Sequence, residues 1–220
     1  MAKVFLHIGM NKTGSSAIQS YLHHNRQALK EAGLLWPETG LDMGGPGEGY
    51  HYRLSTALGF GAGPREAGDA NERRALRKAL EAEIAASEAR TVVISSEYFV
   101  LRRKPDMLAE FFDGLDASVV VYLRRHDAWW PSLFAQAIKT TPKPPWRRSF
   151  ESYHAFHAQR QSQYFEFGPL LDDMAAIFGR DRIIVCPYEA GQNQPNLVAH
   201  FLNRIGVPDL ADLVPPPPSG

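Results

Sequence analysis

Short apolar segments of strand length recur along the whole chain, and segments with helical periodicity separate them. The predicted strands cover residues 3–8, 34–36, 91–94, 118–123 and 182–186. The fourth strand, Ser-Val-Val-Val-Tyr-Leu, does not alternate with polar residues, which indicates burial on both faces. Strands that alternate with helices are typical of a parallel sheet covered on both sides. The sequence therefore predicts a three-layer α/β fold with a central, mostly parallel sheet of about five strands and helices on both faces.

Apolar residues at helical spacing predict the intervening elements. The predicted helices cover residues 15–22, 26–32, 71–88, 107–114, 127–139, 149–178 and 194–205, with one short helical piece near 51–58. Asn25 is the expected N-cap of the second helix, and Gly33 is its expected end. The short piece lies inside residues 39–68, a glycine-rich stretch that predicts a mobile excursion.

The 220-residue chain carries 24 Lys and Arg residues against 24 Asp and Glu residues. A net formal charge of zero provides no overall field for nucleic acid or an anionic membrane, so an anion must be bound by a local site. The single cysteine, Cys186, cannot form an internal disulfide, and no apolar run approaches the roughly 18 residues of a membrane span. We expect one domain over residues 1–208, a proline-rich tail over 209–220, a cytoplasmic location, no nucleic-acid partner and no transmembrane segment.

A loop framed by two glycines follows the first predicted strand. Between Gly9 and Gly14, backbone N–H groups and the dipole of the next helix favour an anion. The glycine spacing matches the start of a Walker A motif, but that motif places Lys and then Ser or Thr directly after its second glycine. Here Ser15 and Ser16 follow, and the only lysine of the loop, Lys12, lies inside the turn. The loop therefore predicts a phosphate site that departs from that of ATP-dependent P-loop enzymes.

A second candidate anion site follows the fourth predicted strand. That strand leads into Arg124, and Ser132 lies eight residues later in the next predicted helix. A guanidinium makes charge-assisted hydrogen bonds to a phosphate, and a hydroxyl adds another donor. Arg125 is the alternative to Arg124 in this role. Because ligands bind at the carboxyl ends of strands in such sheets, we expect both anion sites to lie at one edge.

Together the two motifs resemble the sulfotransferases that use 3′-phosphoadenosine-5′-phosphosulfate (PAPS). The 5′-phosphosulfate loop of that family reads Lys-Ser/Thr-Gly-Ser/Thr-Ser/Thr between the first strand and helix, and residues 12–16 match it. The 3′-phosphate motif of the family is a strand ending in Arg with a Ser one helical stretch later, as at Arg124 and Ser132. The usual Asn/Asp-Pro after that arginine is replaced here by Arg-His at 125–126. The resemblance is strong at these motifs and weaker over the rest of residues 3–206.

The resemblance implies a P-loop, nucleotide-kinase-like topology and PAPS as the cofactor, with adenosine 3′,5′-bisphosphate as the product. The residues expected to bind PAPS are Asn11, Lys12, Thr13, Gly14, Ser15, Ser16, Arg124 and Ser132. The implied reaction is transfer of the sulfuryl group to a hydroxyl or amine of a carbohydrate, lipid or small metabolite. Residues 38–70 and 140–165 are expected to build the acceptor pocket.

Sulfuryl transfer needs a group that stabilises negative charge on the leaving phosphate and a base that takes the proton of the acceptor. Lys12 is expected to supply the first function. Glu97, which follows the third predicted strand, is the first candidate for the base, because some carbohydrate sulfotransferases use glutamate and because burial would raise its pKa. His51 is the second candidate, since an unperturbed imidazole titrates in the useful range. Glu97 fits a structural role equally well, and a loop histidine is more often an ordinary surface residue.

Two other functions fit a glycine-rich loop before a helix. One is a kinase that uses ATP and magnesium, which the displaced Lys12 disfavours. No pair of acidic residues resembles a magnesium site, so we expect no metal. The other is a nucleotide-binding module without catalytic activity, which would bind the donor and transfer nothing.

Overall fold

The five predicted strands form one sheet. A computed structural model describes residues 2–42, 49–60, 67–100, 105–147, 149–159, 166–189 and 191–212. The strands are β1 Lys3–Ile8, β2 Leu34–Leu35, β3 Thr91–Ser96, β4 Asp116–Leu123 and β5 Ile183–Pro187, in the order β2-β3-β1-β4-β5. Every neighbouring pair is parallel. All carboxyl ends therefore lie at one edge of the sheet, with that of β1 in the middle, and the predicted parallel sheet is confirmed.

Helices cover both faces of this sheet. The described helices are α1 Ser15–His24, α2 Arg26–Glu31, α3 Tyr52–Ala57, α4 Ala70–Ser87, α5 Pro105–Phe112, α6 His126–Thr140, α7 Phe150–Ala158, α8 Phe167–Phe178 and α9 Leu197–Arg204. Alternate residues of a strand point to opposite faces, so Val4 and Leu6 pack with α3 to α8, whereas Phe5 packs with α1, α2 and α9. The predicted three layers are confirmed. None of these helices is long and apolar enough to cross a membrane.

Two predicted elements have different bounds in the structure. β3 continues through Ser95 and Ser96, whose hydroxyls are paired inside the protein. Ser95 Oγ accepts a hydrogen bond from Gln19 Nε2 at 3.0 Å, and Ser96 Oγ donates to Ser55 Oγ at 3.0 Å. The helix predicted over residues 149–178 is two helices, α7 and α8.

Asn25 is the N-cap residue of α2, as predicted, but its side chain has a different partner. Asn25 Nδ2 donates to the carbonyl of Tyr21 at 2.9 Å, so this side chain closes α1 and makes no cap bond to α2. Gly33, with φ of 90°, ends α2 as predicted, because glycine adopts this left-handed conformation without a steric penalty. The helix predicted from residue 194 starts at Leu197, where the Asn196 side chain accepts a hydrogen bond from the backbone N–H of Ala199.

The short helical piece predicted inside the glycine-rich stretch is confirmed as α3, and it is packed into the core. Leu54 and Leu58 are completely buried, and Phe60 packs edge-on against Phe99 with ring centroids 5.5 Å apart. These contacts attach α3 to the face of the sheet that α4 also covers. The rest of the predicted mobile excursion lies largely outside the described residues, over 43–48 and 61–66.

His51 is buried at the edge of β3, where β2 has already ended. Its backbone N–H donates to the carbonyl of Ser95 at 2.8 Å, and its Nδ1 accepts from the N–H of Ser95 at 3.1 Å. Its Nε2 donates to the carbonyl of Pro37 at 3.1 Å. These partners require the neutral Nε2–H tautomer, and burial lowers the His51 pKa to about 3. The expectation of an exposed loop histidine is wrong, and a buried imidazole with both nitrogens occupied is poorly suited to the role of base.

Packing of the chain continues beyond residue 208. Residues Pro208–Asp212 form a 3₁₀ turn, and Leu210 is buried against the face that α1 and α9 cover. The hydroxyl of Tyr21 donates to the carbonyl of Leu210 at 2.7 Å. The rest of the predicted tail, residues 213–220, lies outside the described residues.

Replacing His51 with leucine tests its structural role. His51→Leu keeps the side-chain volume but leaves the Ser95 N–H and the Pro37 carbonyl without a partner in the interior. We expect a loss of about 2–5 kcal/mol in the free energy of unfolding, measured by urea denaturation. His24→Leu, at an exposed position, should change it by no more than about 0.5 kcal/mol. Equal stability of His51→Leu and the parent chain would contradict this role.

Candidate active site

The loop between β1 and α1 has a backbone shape that depends on glycine. Gly14 precedes α1 with φ of 77°, and a Cβ there would lie 2.2 Å from Leu197 Cδ2. A Cβ on Gly9 would lie 2.3 Å from the hydroxyl of Ser15. Lys12 also has a left-handed backbone, with φ of 64°. The first N–H groups of α1 have no partner within the helix, so this loop directs backbone donors and the positive end of the helix dipole to one place.

Two side chains from the segment after β4 hold this loop from outside. Trp129 is completely buried, and its Nε1 donates to the carbonyl of Asn11 at 2.6 Å. Arg124 Nη1 donates to the carbonyl of Lys12 at 3.1 Å. Both contacts supply donors to carbonyl oxygens of the loop, so these two acceptors are paired within the protein.

A cavity of about 420 Å³ lies at the carboxyl edge of the sheet, over this loop. The residues that line it are Asn11, Lys12, Gly14, Ser15, Ser16, Glu97, Arg124, Ser132, Gln136 and Tyr188. The structure therefore brings together eight of the ten residues that the sequence singled out. Polar and charged groups dominate this lining, as expected for a site that binds an anion.

Thr13 and His51 are the two predicted residues that do not line the cavity. The Thr13 side chain is buried, and its hydroxyl donates to the carbonyl of Met10 at 2.7 Å, so it shapes the loop from inside. Sequence reasoning missed Gln136 and Tyr188. Gln136 lies one helical turn after Ser132 on α6, a spacing that could have identified it. Tyr188 directly follows β5, at the same edge of the sheet.

Glu97 begins a 3₁₀ turn directly after β3, which directs it into the cavity. Burial raises the Glu97 pKa to about 7, while the charge of Lys12 and a hydrogen bond from Ser15 oppose that rise. A carboxyl group with this pKa exchanges its proton readily near neutral pH. Burial of Glu97 in the structure thus gives the raised pKa that a base needs and that the sequence alone could not establish.

Arg124 and Arg125 have different surroundings. The guanidinium of Arg124 lies 5.5 Å from the ring centroid of Tyr188 and lines the cavity. The side chain of Arg125 is 70% exposed, and its Nη2 is 2.7 Å from Asp127 Oδ2. The sequence left both arginines open as ligands of the second anion. These surroundings favour Arg124 for that role, because Arg125 already has a carboxylate partner at the start of α6.

A second cavity of about 720 Å³ adjoins the first. Arg124 and Tyr188 line both, and the rest of its lining is Arg125, Asp127, Ala128, Glu189, Asn193, Gln194, Pro195, Asn196 and Leu197. The Asn193 side chain bridges this loop by donating to the carbonyl of Pro187 at 3.0 Å and accepting from the N–H of Glu189 at 3.0 Å. The two cavities together provide room for a ligand that is larger than a single phosphate.

No group of three or more His, Cys, Asp and Glu side chains in the described ranges is arranged to hold a metal ion. The cationic groups at the first cavity are Lys12 and Arg124. Charge that develops on a bound anion would therefore meet an ammonium group, a guanidinium group and backbone N–H donors.

The chain is similar in fold to the crystal structure of a sulfotransferase from Alicyclobacillus acidocaldarius. The TM-score is 0.59 and the sequence identity 15%, over 94% of this chain and 82% of that one. An uncharacterized protein of Archaeoglobus fulgidus is 28% identical over 119 residues, which are 53% of this chain, and the chain spans only 30% of that relative's length. No protein-family model matches the sequence. At 15% identity the structural likeness establishes the α/β fold, and function has to be argued from the site.

Removing the charge of Lys12 tests the electrostatics of the cavity. In Lys12→Met, the pKa of Glu97 should rise above its value of about 7, because the charge that opposes the effect of burial is lost. Carbon-13 NMR of labelled glutamate carboxyl groups measures this pKa directly. Lys78→Met, at an exposed position on α4, is the matched control and should leave it unchanged. A Glu97 pKa that stays constant or falls in Lys12→Met would contradict the proximity of the two groups.

Proposed function

We propose that this chain is a sulfotransferase that uses PAPS and transfers its sulfuryl group to a hydroxyl or amine of a carbohydrate, lipid or small metabolite. The observation that carries the proposal is the convergence of the β1–α1 loop, Arg124, Ser132 and Glu97 on one cavity. Each of these groups suits one part of the donor or one step of the transfer. The shared fold with a bacterial sulfotransferase supports the proposal.

The donor has two phosphate ends, and the site has two groups of donors to match them. The N–H groups of the β1–α1 loop, with Lys12, Ser15 and Ser16, would bind the 5′-phosphosulfate. Arg124 and Ser132 would bind the 3′-phosphate. The cavity beyond Arg124 and Tyr188 would hold the nucleoside. This assignment explains why Arg124 and Tyr188 line both cavities, since the nucleoside and its 3′-phosphate are joined.

The transfer would follow from in-line attack of the acceptor oxygen or nitrogen on sulfur. A bond forms between the acceptor atom and sulfur while the bond from sulfur to the 5′-phosphate oxygen breaks, and the electron pair of that bond goes to adenosine 3′,5′-bisphosphate. Lys12 and the loop N–H groups would stabilise the charge that grows on the leaving oxygen. Glu97, as carboxylate, would take the proton that the acceptor loses.

Binding of adenosine 3′,5′-bisphosphate tests the donor site. Loss of a charge-assisted contact costs about 1.5–3 kcal/mol, so Arg124→Ala should weaken this binding roughly 10- to 150-fold. Binding of adenosine 5′-monophosphate, which lacks the 3′-phosphate, should change far less. Arg125→Ala is the comparison variant. It should change the binding of both nucleotides to the same small extent, because Arg125 lines the cavity proposed for the nucleoside but is exposed and paired with Asp127. Isothermal titration calorimetry measures the binding of each of the two nucleotides to each of the two variants, with the parent chain as reference.

Two results would contradict the assignment. Equal losses for the two nucleotides in Arg124→Ala would show that this residue does not bind the 3′-phosphate. A clear preference of the parent chain for ATP with Mg²⁺ over adenosine 3′,5′-bisphosphate would favour a kinase in place of a sulfotransferase.

Replacing Glu97 with glutamine tests the base. Glu97→Gln should lower turnover by about 10²- to 10⁴-fold, because proton transfer is lost, while binding of adenosine 3′,5′-bisphosphate stays nearly unchanged. In the parent chain, turnover should rise as the pH increases through about 7, since only the carboxylate form of Glu97 accepts a proton. Transfer of ³⁵S-sulfate from labelled PAPS to acceptors in a cell lysate is the assay, and the exposed Glu81→Gln is the control.

Full activity of Glu97→Gln would remove Glu97 from this role. If the parent chain binds the product nucleotide but transfers sulfate to no acceptor, a nucleotide-binding module without catalytic activity would be favoured instead.

A further inference from the structure

A groove of about 660 Å³ begins beside the candidate active site and extends along α1 to the start of α2. Its lining consists of Ser16, Gln19, Ser20, His23, His24, Arg26, Gly49 and Tyr50. Ser16 also lines the cavity that contains Lys12 and Glu97, so the groove and that cavity meet at the start of α1. The groove therefore borders the candidate active site.

Basic side chains lie at the far end of this groove. Arg26, His23 and His24 line it, and among the described residues none of those lining it is acidic. The nearest acidic partner of Arg26 is Glu38, whose Oε1 is 3.8 Å from Arg26 Nε, and both side chains are substantially exposed. An ion pair of this length and exposure is weak, so it leaves the guanidinium able to bind another anion.

Tyr50 links the lining of the groove to the segment around Glu97. Its ring packs against that of Tyr52, with centroids 6.1 Å apart, and its hydroxyl is hydrogen-bonded to Tyr98, the neighbour of Glu97 in the chain. Glu97 is close enough for its charge to raise the pKa of Tyr50. An aromatic face at this position suits contact with the apolar face of a hydroxyl-rich molecule, such as a sugar ring.

The length of α1 sets the distance between the two ends of the groove. Ser16 and His24 are eight residues apart on the helix, which corresponds to about 12 Å at 1.5 Å per residue. Arg26 begins α2 directly beyond His24 and Asn25. A small acceptor that fits beside Glu97 would leave the basic end of the groove unused.

We propose that this groove binds the acceptor, and that the acceptor is an extended, hydroxyl-bearing molecule with an anionic group remote from the atom that is sulfated. Arg26, with His23 and His24, binds the anionic group, and Tyr50 contacts the part nearest to Glu97. An oligosaccharide that contains acidic sugars has this chemistry. The inference rests on the proposed sulfotransferase function and adds the class of acceptor to it.

Two trisaccharides of equal length serve as probes. Trigalacturonate carries carboxylates, and galactotriose with the same linkages is its neutral counterpart. We expect trigalacturonate to bind the full chain at least 10-fold more tightly than galactotriose at pH 7, measured by calorimetry with and without saturating adenosine 3′,5′-bisphosphate. Arg26→Gln should remove most of this preference, because one charge-assisted contact corresponds to about a 10-fold change in affinity or more.

Arg53→Gln is the matched control. Arg53 Nε is also 3.8 Å from a glutamate oxygen, that of Glu72, but Arg53 does not line the groove. This variant should keep the full preference for the acidic trisaccharide. Equal affinity for the two probes, no binding of either, or the same loss in both variants would overturn the inference. Binding of the product nucleotide in the same titrations tests the proposed function separately, so a failure of one is distinguished from a failure of the other.

Discussion

The two hydrogen bonds that hold the β1–α1 loop from outside are the interaction on which the site depends. Trp129 binds the carbonyl of Asn11, and Arg124 binds the carbonyl of Lys12. A lysine rarely adopts the left-handed backbone seen at Lys12, so the surrounding structure has to maintain it. Both donors come from the segment after β4. The segment proposed to bind the 3′-phosphate therefore also shapes the loop proposed to bind the 5′-phosphosulfate, and a change in either would disturb both.

Glu97 and Lys12 form a second interdependent pair. Burial alone would raise the Glu97 pKa further, and the charge of Lys12 limits the rise to about 7. A base is most effective when its pKa is close to the working pH. Lys12 is also the cation proposed to stabilise the leaving phosphate. In the proposed reaction, one lysine would link the proton transfer at the acceptor to bond breaking at the donor, which would account for its position inside the turn.

Local patterns in the sequence predicted most of the fold, and motif spacing predicted most of the cavity lining. The apolar segments were predictable as the five strands because burial leaves a local pattern in the sequence. Parallel pairing then brought Lys12, Glu97 and Arg124 to one edge. The position of His51 was unpredictable, since its burial depends on hydrogen bonds to Ser95, which is 44 residues away in the chain. Tyr188 was missed as a site residue for a similar reason, because only the packing of β5 beside β4 brings it to Arg124.

A crystal structure of the chain with adenosine 3′,5′-bisphosphate tests the donor site most directly. We expect the 5′-phosphate to accept hydrogen bonds from the N–H groups of the β1–α1 loop and from Lys12. The 3′-phosphate should contact the Arg124 guanidinium and the Ser132 hydroxyl, at the N⁺–H···O⁻ distances of about 2.7–2.9 Å that are typical of charge-assisted pairs. A nucleotide bound with its 3′-phosphate on Arg125 or in solvent, or with no phosphate in the loop, would contradict the proposed donor site.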